Sequence, residues 1–262
     1  MKENTIKGTV LVTGASSGIG AALAKVFASN GFALVLTARR ENLLKQLQEE
    51  LSAVTDVSYI VSDLATTVGV NALIIELEER EISVDVLVNN AGIAYSDNFD
   101  LLKDEQIQHL ITLNITALST LTLHFVKQMK NRGAGRILNV ASVAAFQPVP
   151  SMSIYAASKA FVLSLTESLS VELRDTGVSI TALCPGLTNT DMVNDLSTSN
   201  VPPFMMSKVE AVAQEGYEAL MAREVIRIPG VANQAAVTWA KHQPRWLIRG
   251  LGGLVSRFTP NH

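Results

Sequence analysis

Residues 9–20 read TVLVTGASSGIG, an apolar β-branched run that passes into a glycine-containing loop. Such a run is typical of a buried parallel strand. Gly14, Gly18 and Gly20 let the backbone turn sharply and approach a ligand closely. A helix is predicted at 21–29, and the free N–H groups at a helix N-terminus suit a pyrophosphate. The stretch therefore predicts a phosphate-binding loop, and a tight turn without a ligand is the alternative.

The alternation of short apolar runs with helical patterns continues along the chain. Strands are predicted at residues 9–12, 33–36, 57–61, 84–88, 137–140, 178–183 and 224–228. Helices are predicted at residues 21–29, 41–51, 68–79, 104–130 and 153–174. Strands joined through helices by right-handed crossovers give an α/β fold, a doubly wound and mostly parallel sheet with helices on both faces. Because no linker or repeat divides the 262 residues, we expect a single domain.

The composition is apolar and poor in charge. Hydrophobic residues make up 48% of the chain, and charged residues 17% against about 25% in ordinary globular proteins. This excludes a disordered chain and suggests that extra apolar surface is buried. The net charge of −3 provides no electrostatic footprint for nucleic acid. A single cysteine, Cys184, excludes an intrachain disulfide and a cysteine-based zinc cluster, and we expect no metal site.

One segment has the length of a membrane span. Residues 106–126 carry no Asp, Glu, Lys or Arg, but they contain two glutamines, two histidines and an asparagine, which are expensive in hydrocarbon. A helix buried by protein on most of its faces is therefore the favoured interpretation. Residues 1–10 carry charges and lack an apolar core, so we expect no secretory signal and a reduced, cytoplasmic protein.

The end of the second predicted strand indicates which dinucleotide would bind. A fold selecting NAD places an Asp or Glu there to hold the ribose 2′-hydroxyl. Here the chain continues Thr37-Ala38-Arg39-Arg40, and the first acid is Glu41. Two guanidiniums suit a 2′-phosphate through bidentate contacts, so NADP(H) is predicted over NAD(H). Two solvated arginines at a helix start are the alternative.

Four residues form a candidate catalytic group. Tyr155 and Lys159 share one face of a predicted helix, where an adjacent ammonium favours the phenolate and a proton can pass to or from a carbonyl or alcohol oxygen. Ser142 follows the strand at 137–140, at the sheet edge where ligands bind. Asn114 lies in the uncharged helix, where its amide needs partners. Taken singly, each has a structural alternative: a solvated pair, a loop serine, and an asparagine that bridges helices.

Taken together, these motifs resemble the short-chain dehydrogenase/reductase family over about residues 5–195. The matching residues occur in the family's order and spacing: Thr13-Gly14-x-x-x-Gly18-Ile19-Gly20, Asp63-Leu64, Asn89-Asn90-Ala91-Gly92, Asn114, Ser142, Tyr155-x-x-x-Lys159 and Pro185-Gly186-x-x-x-Thr190. The resemblance implies a Rossmann-type oxidoreductase that uses NADP(H) to interconvert a carbonyl and an alcohol by hydride transfer.

The resemblance also implies individual roles. Tyr155 would be the general acid/base, Ser142 would polarise the carbonyl, Lys159 would hold the nicotinamide ribose and lower the tyrosine pKa, and Asn114 would keep a relay water. The residues implied to contact the cofactor are Gly14, Ser16, Ser17, Gly18, Ile19, Gly20, Arg39, Arg40, Asp63, Leu64, Asn90, Ala91, Gly92, Tyr155, Lys159, Pro185, Gly186 and Thr190. In the family the helix corresponding to 106–126 pairs with its counterpart, which predicts a homodimer or homotetramer.

The C-terminal third carries the substrate-side predictions. Residues 187–228 are predicted to hold a substrate lid, and the Met and aromatic residues at 192–206 favour an apolar ketone or aldehyde; simple packing of these side chains is the alternative. Residues 230–262 form a tail with two tryptophans, four basic residues and no acidic ones. Packing over the substrate site is favoured for the tail, while a subunit bridge or a peripheral membrane contact stays open.

Two other functions stay open. A nucleotide-sugar epimerase or dehydratase shares Tyr-x-x-x-Lys, but such relatives usually have a G-x-x-G-x-x-G loop and a larger C-terminal substrate domain. A non-catalytic NADP-binding sensor or scaffold would have no need of Tyr155 beside Lys159.

Overall fold

The strands form one parallel sheet. In the computed structural model, residues 7–189 and 206–244 are described, so Thr190, most of the Met-rich part of the predicted lid, and residues 245–262 of the tail lie outside the described residues. The strands are β1 Thr9–Thr13, β2 Ala33–Ala38, β3 Val57–Val61, β4 Val86–Asn89, β5 Gly135–Val140, β6 Val178–Leu183 and β7 Ile226–Arg227. Their order in space is β3-β2-β1-β4-β5-β6-β7, and every neighbouring pair is parallel. The predicted doubly wound α/β fold is confirmed.

Helices cover both faces of this sheet. They are α1 Gly18–Ser29, α2 Glu41–Leu51, α3 Thr67–Glu79, α4 Asp104–Ile111, α5 Leu118–Arg132, α6 Ser153–Glu172, α7 Val209–Met221 and α8 Val231–Lys241. The core under α1, α2 and α7 is continuous across β1, β2 and β4. A second core lies under α3 and α5, and a third lies under α6. Because the strand order reverses between β1 and β4, a crevice opens at their carboxyl ends, where open α/β sheets bind ligands.

The helix predicted at 104–130 is present and contains a π-helical turn. Residues Thr112–Ala117 form a π-helical turn between α4 and α5, and α5 ends at Gly133, whose φ is +67°. π-helical turns occur frequently at functional sites, and this one contains Asn114. By length and composition alone, Asp104–Arg132 would be able to cross a membrane, but the core helix of a soluble protein passes the same test, so this is weak evidence.

Part of the predicted lid region belongs to the packed domain. Val212, Ala213 and Leu220 on α7 are fully buried in the core shared with α1. The late strand predicted at 224–228 is β7, which pairs with β6. The lid itself stays a prediction, since residues 190–205 lie outside the described part of the chain.

Candidate active site

A cleft of about 260 Å³ runs along the carboxyl ends of the strands. It is lined by nearly all of the residues predicted to bind a cofactor, together with Ser142. Gly20 and Asn114 are not among the lining residues, and both act from behind the wall, as described below. The sequence reasoning missed several lining positions, among them Ser62, Ile93, Leu113 and Thr188.

The three glycines of the loop after β1 are needed there for two physical reasons, a left-handed backbone and a close approach. Gly14 and Gly18 adopt φ of +65° and +55°, a region that L side chains rarely enter. A methyl group at Gly20 would lie 2.3 Å from the carbonyl oxygen of Gly14, so this glycine allows close packing of helix on loop. Helix α1 begins at Gly18, and its N-cap residue Ser17 makes no side-chain capping bond. First-turn N–H groups therefore remain available for an anion in the cleft.

The loop after β4 is fastened to the glycine loop. The Thr13 hydroxyl accepts hydrogen bonds from the N–H groups of Asn90 and Ala91 at 2.9 and 3.0 Å. The Asn90 side-chain amide donates to the carbonyl oxygens of Thr13 and Gly14 at 2.9 and 3.1 Å. Asn90 thus lies in the cleft wall as expected and also holds the shape of the glycine loop.

Arg40 lies across this loop. Its Nη2 donates to the hydroxyls of Ser16 and Ser17 at 3.0 and 2.6 Å, and its Nε reaches Ser16 at 3.2 Å. Arg39 lines the same end of the cleft and is exposed. Two guanidiniums beside a helix N-terminus make this end of the cleft attractive to an anion, which is the environment that a 2′-phosphate requires.

Tyr155, Lys159 and Ser142 meet at the other end of the cleft. Tyr155 and Lys159 come from the first two turns of α6, and Ser142 follows β5. The Lys159 ammonium lies 5.7 Å from the centre of the Tyr155 ring and donates to the carbonyl oxygen of Val140 at 2.8 Å. Lys159 is buried and Tyr155 is half-buried in the cleft wall, so burial affects the protonation of both side chains.

The pKa values differ from one sequence expectation. Burial raises the pKa of Tyr155, and a hydrogen bond with Ser142 offsets this only in part. Burial lowers the pKa of Lys159 to about 8. The expected lowering of the tyrosine pKa by Lys159 is therefore not found here, because desolvation of the phenolate is the largest effect and the Lys159 ammonium is not among the groups that shift this pKa. Tyr155 stays a neutral phenol, the form that donates a proton.

Asn114 acts from behind the cleft wall. Its Oδ1 accepts from the N–H of Ile93 at 2.9 Å, and its Nδ2 donates to the carbonyl oxygen of Ile93 at 2.9 Å and to the Ser158 hydroxyl at 3.2 Å. The side chain is 1% exposed. These bonds join the π-helical turn to the loop after β4 and to α6, in the manner of the bridge that sequence reasoning left open, and the relay-water role of Asn114 stays a prediction.

Comparison with known proteins decides which family this site belongs to. Residues 8–200 match the family described as short chain dehydrogenase. The chain belongs to this family. As a short-chain dehydrogenase it is an oxidoreductase acting on CH–OH and C=O groups, so the predicted enzyme class is confirmed.

Named relatives of this dehydrogenase differ in substrate. It is 37% identical to a 3alpha-hydroxysteroid dehydrogenase of Mediterraneibacter gnavus over 74% of this chain and 79% of the relative. It is 41% identical to sulfoacetaldehyde reductase 2 of Chromohalobacter salexigens over 70% of this chain and 73% of the relative. A solved short-chain dehydrogenase from Sphingobium yanoikuyae, in complex with NADPH, superposes with a TM-score of 0.82 at 34% identity, covering 97% of each chain.

Beneath the candidate catalytic residues of this short-chain dehydrogenase lies a polar chain that sequence reasoning missed. Asn89 and Asn139 are register partners on β4 and β5, and the Asn89 amide donates to Asn139 Oδ1 at 2.9 Å. Asn89 also donates to Thr122 on α5 at 3.0 Å, while Asn139 donates to Thr166 on α6 at 2.9 Å. All are buried. The two threonines lie about two helical turns along the chain from Asn114 and Lys159, so the polar chain links the helices that carry these two residues through β4 and β5. Polar residues in two central strands were its sequence signal.

Proposed function

We propose that the protein is an NADP(H)-dependent carbonyl reductase, in which Tyr155 is the general acid for reduction and the general base for alcohol oxidation. The observation that carries the proposal is the placement of Tyr155, Ser142 and Lys159 at one end of a cleft whose other end presents Arg39 and Arg40. A reacting carbonyl and a phosphorylated dinucleotide are the two ligands that these ends suit.

The chain's own residues fit a dinucleotide. The uncapped N-terminus of α1 and the glycine loop would take the pyrophosphate, Asp63 and Leu64 would lie beside the adenine, and Pro185 with Gly186 would seat the nicotinamide. When bound, the cofactor supplies the hydride. Ser142 hydrogen-bonds and orients the substrate oxygen, and Tyr155 delivers the proton to it. Lys159 supplies the proton that restores the phenol of Tyr155 after each reduction. Asn114 holds the loop after β4, which forms part of the cleft wall.

The preference for NADP(H) over NAD(H) rests on Arg40. Its guanidinium is already held over the glycine loop by Ser16 and Ser17, and the position where an NAD-selecting fold has an acid carries Arg39. The Sphingobium yanoikuyae relative was solved with NADPH, which supports this preference. Other solved relatives hold NAD or NADH, so NAD(H) is the alternative cofactor.

We infer an apolar ketone or aldehyde as the substrate. The stretches next to Tyr155, residues 141–158 and 90–96, contain no charged residue. The charges that flank them are Asp97 and Lys159, and the Lys159 ammonium is buried and donates to the carbonyl oxygen of Val140. The carboxylate of Asp97 would repel a substrate that carries a sulfonate or carboxylate group, whereas a bulky apolar substrate needs no counter-ion. The hydroxysteroid relative supports this substrate class, and the sulfoacetaldehyde relative favours the opposite one.

A substrate screen that follows NADPH absorbance tests the proposal. Equimolar panels of bulky apolar ketones, aromatic aldehydes and small anionic aldehydes would be compared by kcat/KM, with NADH as the matched second cofactor. We expect turnover of the apolar panel with NADPH. Turnover confined to small anionic aldehydes would overturn the substrate class. NADPH binding without turnover of any panel would favour the sensor or scaffold function, and epimerase activity on a nucleotide sugar would favour the other alternative.

A homodimer or homotetramer is inferred from the apolar exterior. Leu123 on α5 and Phe161 and Val171 on α6 are 58%, 41% and 60% exposed, which is costly for large apolar side chains on one face of a domain. Sedimentation equilibrium would separate dimer, tetramer and monomer, and a monomer at micromolar concentration would overturn the inference. The cytoplasmic location and a membrane contact of the tail stay predictions.

A further inference from the structure

The turn at residues 185–188 is held on several sides. The carbonyl oxygen of Pro185 accepts from the N–H of Val143 at 2.9 Å, and the carbonyl oxygen of Gly186 accepts from the Thr188 hydroxyl at 3.0 Å. These bonds fix the backbone oxygens of the turn. A further contact is made by the Cα of Gly186.

The Cα of Gly186 is covered by the C-terminal tail. A methyl group at Gly186 would lie 2.6 Å from both Nδ2 and Oδ1 of Asn233, on α8, and 2.8 Å from its Cγ. Gly186 is not in the left-handed region, so its backbone would accept an alanine. The three atoms nearest to that methyl group all belong to one side chain. The requirement for glycine at 186 therefore comes from the Asn233 carboxamide and not from the turn.

Moving the carboxamide aside would break a hydrogen bond. Its Nδ2 donates to the carbonyl oxygen of Pro229 at 2.9 Å, one turn back. The segment before α8 is itself anchored, because the N–H of Gly230 donates to Glu215 at 3.1 Å and Glu215 forms an ion pair with Arg227 at 3.4 Å. Asn233 is thus a short side chain pinned on a fixed support, in contact with the turn.

We propose that Asn233 is a positioning residue for the cofactor site. Its contact with Gly186 fixes the position of the turn at 185–188, which seats the nicotinamide. This assigns the start of the C-terminal tail a part in cofactor binding. The inference rests on the proposed function for the link to NADPH, whereas the steric relation between Gly186 and Asn233 stands independently of it.

A double-mutant cycle tests the inference, with Gly186→Ala, Asn233→Ala and the double variant each compared with wild type. The readouts are NADPH dissociation constants, kcat at saturating NADPH, and unfolding temperature without cofactor. Overpacking in Gly186→Ala should raise the NADPH dissociation constant at least about tenfold and lower the unfolding temperature. Asn233→Ala removes the support without a clash, so a loss of about threefold is expected. The double variant should recover to the level of Asn233→Ala, because the added methyl group then has room.

Gln234→Ala is the matched control. Gln234 donates to the carbonyl oxygen of Ile228 at 2.9 Å from the neighbouring position of α8, so it loses a comparable bond without touching Gly186. We expect wild-type NADPH affinity from it. A double variant no better than Gly186→Ala, or Gly186→Ala with wild-type affinity, would overturn the positioning role. A wild-type protein that binds no NADPH would instead overturn the proposed function, and recovery of the unfolding temperature in the double variant would still report the steric relation.

Discussion

The Lys159 ammonium donates a 2.8 Å hydrogen bond to the carbonyl oxygen of Val140, the last residue of β5. The side chain is 5% exposed, and no carboxylate is among the causes that shift its pKa. Burial lowers this pKa from its ordinary value near 10.5 to about 8. The protein therefore keeps a partly desolvated cation next to Tyr155, at a cost in stability that its catalytic position explains.

Lys159→Met should stabilise the protein while abolishing its activity. Between pH 8 and about 10.5 the unfolded chain binds more protons at this site than the folded one, so wild-type stability rises with pH there. At about 1.4 kcal/mol per pH unit the penalty at pH 7 is at most about 3.5 kcal/mol, and loss of the bond to Val140 removes roughly 1 kcal/mol of the gain. We expect the variant to be about 2 kcal/mol more stable at pH 7 by urea unfolding, with the gain vanishing by about pH 10.

The control for this prediction is Lys25→Met, which removes an exposed lysine paired with Glu50. Its stability should differ little from wild type and should not acquire the same pH dependence. A Lys159→Met protein less stable than wild type at pH 7 would contradict the desolvation argument.

Tyr155→Phe should lower kcat by at least about hundredfold, since it removes the proton donor and keeps the ring. NADPH affinity should stay within about twofold of wild type, as measured by fluorescence titration. A pH titration of phenolate absorbance in both cofactor-free proteins isolates Tyr155 as the difference between wild type and variant. Tyr155 should ionise above the ordinary tyrosine pKa, because burial raises its pKa.

Tyr217→Phe is the matched control for that substitution. Tyr217 packs edge-on against Phe27 at 5.3 Å, in the core under α1 and α7. Turnover should be unaffected in this variant. Appreciable carbonyl reduction by Tyr155→Phe would exclude the proposed acid.

Replacing Arg39 by Asp and Arg40 by Leu should reverse the cofactor preference. Loss of two cations, one of them held by Ser16 and Ser17, should weaken NADPH binding at least about tenfold. The new carboxylate should at the same time favour NADH by accepting from the ribose 2′-hydroxyl. Isothermal titration with both cofactors measures this, and Arg174→Leu, an exposed arginine just beyond α6, is the control. Unchanged NADPH affinity in the double variant would refute the assignment.

Thr166→Val should destabilise the protein by about 1–3 kcal/mol, because the Asn139 amide then lacks its buried acceptor. Thr166→Ser keeps the hydroxyl, so it should lose much less. Urea unfolding of the two variants separates the hydrogen bond from the packing of the methyl group. A loss in Thr166→Ser with none in Thr166→Val would show that packing alone matters at this position.

Local sequence patterns predicted most of the fold and much of the site. Strand and helix positions follow from the spacing of apolar residues, which depends only on the periods of the two structures. The glycine loop and the Tyr155–Lys159 pair were found for the same reason, since their chemistry lies within a few consecutive residues. Thr190 and the Met-rich lid stay predictions, outside the described residues.

What the sequence by itself determined is therefore the order of strands and helices, the loops at which ligands bind, and the residue types present there. The tertiary structure alone decided the rest. The sign of the Tyr155 pKa shift depends on how completely the fold excludes water around the phenol. The bridge from Asn114 to Ile93, the π-helical turn that holds it, and the contact between Gly186 and Asn233 join residues that are distant along the chain. Such contacts arise from packing at near-crystalline density, which no local pattern encodes.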